Sequence, residues 1–226
     1  AELKDNSLIN SKVIFKADAP RRTSVHIGAK IAFLPVGTLL LNSGDGFDHR
    51  EKAQYLDNHF GKIIRINTDG SVPSDNPFTN IMGALPEIYS YGHRNMQGLL
   101  VTSEGDIYEH EHGPKGGDEI NLIKPSLNYG WPAITYGIDY SGAVISPFTE
   151  MEGMEQPLLH WTPSIAPSDM ILYQNNLYPE LNGSFLVTAL VSKDVKKVVF
   201  KDGTDYQESL FSDLKQRLRN IEASPA

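Results

Sequence analysis

The sequence predicts an all-β fold arranged as a β-propeller, on three observations. Apolar and polar residues alternate with period two in most segments, and Gly, Pro, Asn or Asp bound those segments. No segment sustains the 3.6-residue apolar pattern of an amphipathic helix. A unit of two hairpins recurs: the turn glycines Gly37, Gly105 and Gly183 lie 68 and 78 residues apart. Four strands per unit at that spacing is the mark of a propeller with long blades.

The elements follow in order. Strands are predicted at Lys30–Phe33 and Thr38–Asn42, joined by the turn Pro35-Val36-Gly37, and at Lys62–Asn67, closed by Asp69-Gly70. The second unit gives Gly98–Thr102 and Asp106–His110 around Glu104-Gly105, then Glu119–Ile123. The third gives Met170–Tyr173, Ser184–Ala189 after Asn182-Gly183, and Lys197–Lys201 before Asp202-Gly203. A second hairpin is expected in GKIIRINTDGSV, DEINLIKPSLNYGW and KKVVFKDGTDY. Helix is confined to Glu51–Asn58 and Ser209–Leu214. At about 70 residues per blade, 226 residues supply roughly three blades, whereas closed rings hold four to eight. The expectation is one propeller domain over residues 1–226, incomplete at both ends. It would be part of a longer protein or would complete its ring with another copy. The first is favoured: AELKDNSLIN reads as a mature or trimmed start, and IEASPA stops where the next strand-turn-strand should begin.

Composition narrows the function. The net charge of −8 argues against nucleic acid and anionic membranes as main partners. No apolar run is long enough to span a membrane. The absence of cysteine removes disulfides, thiolate nucleophiles and Cys-ligated metals.

Polar chemistry is densest in YEHEHGPKGGDEINLIKPSLNYGWP, Tyr108–Pro132. On a strand, His110 and His112 share a face, which fits either a transition-metal pair or two hydrogen-bonded blade residues. The loop Gly113–Glu119 is carbonyl-rich with a carboxylate, which suits Ca²⁺, or it is an ordinary connection between blades. Arg94 precedes an inner strand and points to the channel mouth, where it could hold a carboxylate or an anionic cofactor, or form a surface ion pair. Arg217 and Arg219 share one face and leave the same two readings open. His26 occupies the position in its repeat that Arg94 occupies in the next, so the two converge, His26 as a general base or as a structural histidine.

Together these motifs resemble the soluble aldose sugar dehydrogenases that use pyrroloquinoline quinone (PQQ), a six-bladed propeller family related to soluble glucose dehydrogenase. The matching stretches are HIGAKIAFLPVGTLLLNSGDG, GKIIRINTDGSVPSDNPF, EIYSYGHRNMQGL, EHEHGPKGGDEINLIKPSLNYGWP, YGIDYSG, PSIAPSDM and QRLRNIEASP, from His26 to Pro225 in family order. The chain would cover roughly blades three to five with parts of their neighbours.

The resemblance implies residue roles. His26 matches the general base that takes the proton of the sugar C1 hydroxyl, and Arg94 the arginine near the quinone carbonyls and substrate oxygen. Asn95 and Tyr140 match cofactor-pocket residues, and Arg217 and Arg219 the pair holding PQQ carboxylates. The carbonyls of Gly113 and Pro114 match those on a catalytic Ca²⁺, and Glu119 with the Tyr129 backbone a second, structural Ca²⁺. The implied reaction oxidises an aldose to an aldonolactone and passes electrons to an external acceptor, in a periplasmic or secreted bacterial protein, monomer or homodimer. The chain departs from the pattern at Met96, in place of the proline of HRNPQG, and at Val191, where some relatives have a PQQ-binding lysine. HIGAK stands for the commoner HFGGR and LPVG for DPDG. Two other functions remain open on the residues: a calcium-dependent lactonase-type propeller hydrolase, and a non-catalytic carbohydrate-binding propeller with a relict site.

Overall fold

The computed structural model describes residues 1–224, so Pro225 and Ala226, the end of the last matching stretch, lie outside the described residues. Three four-stranded antiparallel sheets follow one another along the chain, each a simple meander. Sheet I holds β3 (Gly28–Phe33), β4 (Leu39–Ser43), β5 (Lys62–Ile66) and β6 (Ile88–Tyr91). Sheet II holds β7 (Asn95–Val101), β8 (Ile107–His112), β9 (Asp118–Ile123) and β10 (Leu159–Trp161). Sheet III holds β11 (Pro167–Tyr173), β12 (Ser184–Ala189), β13 (Val195–Lys201) and β14 (Thr204–Leu210). A short hairpin, β1 (Glu2–Lys4) and β2 (Ser7–Ile9), precedes them. The only helical pieces among the described residues are 3₁₀ turns at Arg50–Gln54, Pro179–Leu181 and Ser212–Leu214.

The sheets stack face to face through apolar layers, as blades do. Leu40 and Ile63 of sheet I meet Met96, Ile107 and Ile123 of sheet II. Ile120, Leu159 and Trp161 of sheet II meet Met170, Phe185, Val187 and Val198 of sheet III. Each fully buried aliphatic chain in these layers contributes about 1.5–3 kcal/mol relative to an exposed one. Met96 fills its layer with no exposed surface, which accounts for an unbranched, adaptable side chain there. The first strands β3, β7 and β11 pack side by side and form the inner edge. On the far side of β3, Ile31 and Phe33 are 64% and 62% exposed.

The sequence placed the first three strands of every sheet and the hairpin between β13 and β14. It misplaced the last strands of sheets I and II. The partner of β5 is β6, after an excursion over residues 67–87, and the partner of β9 is β10, after one over 124–158. The residues after each turn cannot pair immediately because Pro73, Pro77, Pro125 and Pro132 lack the N–H a ladder needs. The expected helix at Glu51–Asn58 is a 3₁₀ turn over Arg50–Gln54. The one expected at Ser209–Leu214 is the end of β14 followed by a short 3₁₀ turn. There, seven cross-strand pairs with β13 outweigh a weak local helix preference.

Candidate active site

His26 and Arg94 do converge. Both line a cavity of about 620 Å³, together with Asp45, Trp131, Pro114 and Tyr140. His26 sits in a left-handed turn at φ 53°, and Arg21 pins that turn: its guanidinium donates to the His26 carbonyl (2.5 Å), to Ser43 Oγ (2.7 Å) and to the Gly44 carbonyl (3.0 Å). Gly44 must be glycine, because a Cβ there would overlap the His26 carbonyl and press on that of Arg94. The carbonyls of His26 and Arg94 are thereby gathered around the loop after β4: the Asp45 N–H donates to Arg94 O (2.8 Å) and the Gly46 N–H to His26 O (3.2 Å).

Asp45 is the residue that sequence reasoning missed. Its Oδ1 lies 2.7 Å from His26 Nδ1 and accepts the Phe47 N–H at 2.9 Å, and its Oδ2 accepts Trp131 Nε1–H at 2.8 Å. A carboxylate surrounded by donors only accepts, so His26 Nδ1 carries the proton and Nε2 is the basic nitrogen. Phe47 packs edge-on against the imidazole with centroids 5.1 Å apart. Trp131 lies 86 residues from Asp45 in sequence, so no local pattern announces their bond. The sole hint was Gly44-Asp45-Gly46 within the quoted motif.

Arg94 is held from three sides. Its backbone N–H donates to Glu111 Oε2 (2.8 Å), and Nη1 donates to the carbonyls of His112 (2.8 Å) and Gly113 (2.5 Å). The guanidinium carbon stands 5.1 Å from the Trp131 ring centroid and 5.9 Å from that of Tyr140. Arg94 Nε is buried without a partner. Tyr140, 59% exposed, also lines a second cavity of about 640 Å³ with Gly113, Pro114 and Val191. Asn95 opens β7. It accepts from Gln97 Nε2 at 3.0 Å and shares a groove with His26 and Phe47. Arg217 and Arg219 stand exposed on either side of Leu218, which packs on sheet III, and neither lines the two cavities.

The tightest donor cluster is not the expected set of Gly113, Pro114, Glu119 and Tyr129, and the Gly113 carbonyl already accepts from the Arg94 guanidinium. Behind it, Glu109 and Glu111 of β8 and Glu119 of β9 share one sheet face, with Glu111 and Glu119 directly opposite. Asn121 Nδ2 donates to Glu109 (3.3 Å) and Glu119 (3.4 Å). Burial and then neighbouring carboxylates push Glu109 and Glu111 well above the usual carboxylate range, and burial pushes Glu119 up to about 7. One ligand atom each from His93, Glu109 and Glu111 lie within 4.8 Å of one another. Glu109 Oε1 and His93 Nδ1 are buried and unpartnered, and burial pushes His93 down to about 3, leaving it neutral. Two carboxylates and an imidazole are a donor set that a divalent cation would satisfy. Tyr129 stacks on His93 with centroids 4.7 Å apart, and its hydroxyl donates to the Leu122 carbonyl at 2.7 Å. The His110–His112 pair is a blade contact instead: His112 Nε2 lies 2.7 Å from the Pro167 carbonyl, and His110 is buried under Gly98.

The family model described as glucose/sorbosone dehydrogenase matches residues 1–226. The chain is 37% identical over 220 residues to the aldose sugar dehydrogenase YliI of Escherichia coli (strain K12), covering 95% of this chain and 58% of that protein. It superposes on a glucose dehydrogenase crystal structure with a TM-score of 0.94 at 38% identity, over 99% of this chain and 66% of that one. It also matches the PQQ-bound aldose sugar dehydrogenase of Streptomyces coelicolor with a TM-score of 0.68 at 29% identity, over 85% and 51% of the two chains. The chain thus spans somewhat over half of the curated relative. The chain belongs to the glucose/sorbosone dehydrogenase family.

Proposed function

We propose that this chain carries the reaction site of a PQQ- and Ca²⁺-dependent dehydrogenase that oxidises aldoses at C1 to aldonolactones. The observation that supports the reading best is the Asp45–His26 pair opening onto the same cavity as Arg94. Holding PQQ would fall to Arg94, Asn95 and Tyr140; Arg217 and Arg219 line neither cavity and are left out of this role. The catalytic Ca²⁺ would sit on the carbonyls of Gly113 and Pro114, and a structural one on Glu119 and the Tyr129 carbonyl. When bound, PQQ supplies the hydride acceptor and Ca²⁺ makes it more electrophilic. His26 Nε2 takes the C1 hydroxyl proton. Asp45 keeps the imidazole in the tautomer that can do so and stabilises the cation it becomes. Arg94, fixed by two carbonyls and two aromatic faces, holds positive charge against the oxygen that gains electron density.

Several wider features belong to the same reading. The three sheets are half of a six-bladed ring, in one propeller domain. The protein works in the periplasm or outside the cell, passes electrons to an external acceptor, and is a monomer or homodimer. Among the described residues no helix is long and apolar enough to cross a membrane.

The test is reduction of an artificial dye by aldoses in the presence of PQQ and Ca²⁺. Activity should need both additions, and His26→Ala should lower kcat about 10²–10⁴-fold. Sugar binding without any dye reduction, with PQQ shown to be bound, would overturn the reading in favour of a non-catalytic sugar-binding propeller.

A further inference from the structure

Arg50 and Asp139 face each other along the same cavity that His26 and Arg94 line. Arg50 stands on the 3₁₀ turn between β4 and β5, and Asp139 on the excursion between β9 and β10, so the two come from different sheets. Arg50 Nη1 and Asp139 Oδ2 are 3.7 Å apart, an ion pair too long for a hydrogen bond. The side chains are 40% and 38% exposed, against 10% for His26, which places them nearer solvent than the basic nitrogen.

Each side is anchored without the other. Buried Lys62 donates to the carbonyls of Lys52 and Ala53, both at 3.0 Å, and so fixes the 3₁₀ turn. Asp139 Oδ1 accepts from Ser141 N (2.9 Å) and Ser141 Oγ (2.7 Å), which leaves Oδ2 turned to Arg50. Arg50 Nε donates to Glu51 at 3.2 Å and Nη1 faces Asp139, with Arg50 lining the cavity. A fork of donors stands opposite a carboxylate acceptor at a fixed, slightly open separation. That is the pairing that reads two neighbouring hydroxyls, one donating and one accepting. Tyr140 and Ile145 add apolar surface beside it for the face of a ring.

We propose that Arg50 and Asp139 form an outer sugar subsite that binds a vicinal hydroxyl pair of the aldose, away from the carbon oxidised at His26. The inference rests on the sugar-oxidising reading and deepens it. The subsite orients the ring so that C1 reaches His26, and it sets which hydroxyl stereochemistry is accepted.

The experiment is calorimetric titration of the protein, with PQQ and Ca²⁺ present, by glucose and by its monodeoxy analogues. Asp139→Ala and Arg50→Ala are each expected to weaken glucose binding about tenfold. For the analogues lacking the contacted hydroxyls, the same substitutions should have little further effect, because the interaction is already gone. Strictly additive losses at every ring position would overturn the subsite and make the pair a clasp between two loops. An unsubstituted protein that binds no aldose would overturn the sugar-oxidising reading itself, and the subsite with it.

Discussion

Asp45 illustrates how a residue with no motif of its own can govern a site. Through Oδ1 it fixes the His26 tautomer and through Oδ2 it ties β4's loop to Trp131. Asp45→Asn keeps the shape but can donate to Nδ1, which favours the wrong tautomer. Expected is a fall in kcat of about 10²–10⁴, with the pH profile of kcat/KM altered. An unchanged profile would make Asp45 only a scaffold residue. His110 carries a second expectation. Burial pushes it down to about 3, so the folded chain leaves it neutral while the unfolded chain protonates near 6.5. The unfolded state therefore binds more protons below pH 6.5, and stability falls as pH drops from there towards 3. Between pH 7 and pH 5 this amounts to about 2 kcal/mol, and His110→Gln should flatten that part of the urea-unfolding profile. At this scale His26 and Arg94 were legible, because their equivalent places in two repeats put them at one mouth. Asp45 and Trp131 were not, because only folding joins residues 86 positions apart.

At the scale of elements, the sequence showed the first three strands of each sheet, which carry clean alternation and turn glycines, and the hairpin that joins β13 to the start of β14. It failed for β6 and β10, which are short and are strands only because a neighbour offers a ladder, and it read the end of β14 as helix. Chain spacing misled as well, since excursions 67–87 and 124–158 separate partners the repeat placed side by side. The second excursion carries Trp131, Asp139 and Tyr140, so what looked like an irregular connection supplies one wall of the cavity. The loop after β4 supplies the other. Gly44→Ala tests how tightly that loop is packed: the new Cβ overlaps the His26 carbonyl, which has to move. A lower melting temperature and a loss of about 10² in dye reduction with cofactor-loaded protein are expected. Full activity at unchanged stability would show that the turn has room to give.

For the whole molecule, the acidic cluster between sheets I and II is the feature with the largest expected response to conditions. Glu109, Glu111 and Glu119 sit close together in a poorly hydrated layer, so a cation binding there adds stability that unfolding loses. Ca²⁺ should raise the melting temperature over that in chelator, and Glu119→Ala should shrink the gap. An equal shift in both conditions would show that Glu119 holds no cation and contributes only through its bond from Asn121. By itself the sequence determined that the chain is built of repeated four-stranded antiparallel units, since alternation and turn glycines are local properties. It also determined that His26 and Arg94 share one place in that repeat. Only the tertiary structure decided which strands close each sheet and that Asp45 and Trp131 complete the His26 site. It also decided that Arg217 and Arg219 stand exposed away from both cavities, while Arg50 and Asp139 meet across one of them. These are contacts between sheets, set by how apolar faces stack, and that stacking depends on residues far apart in the chain.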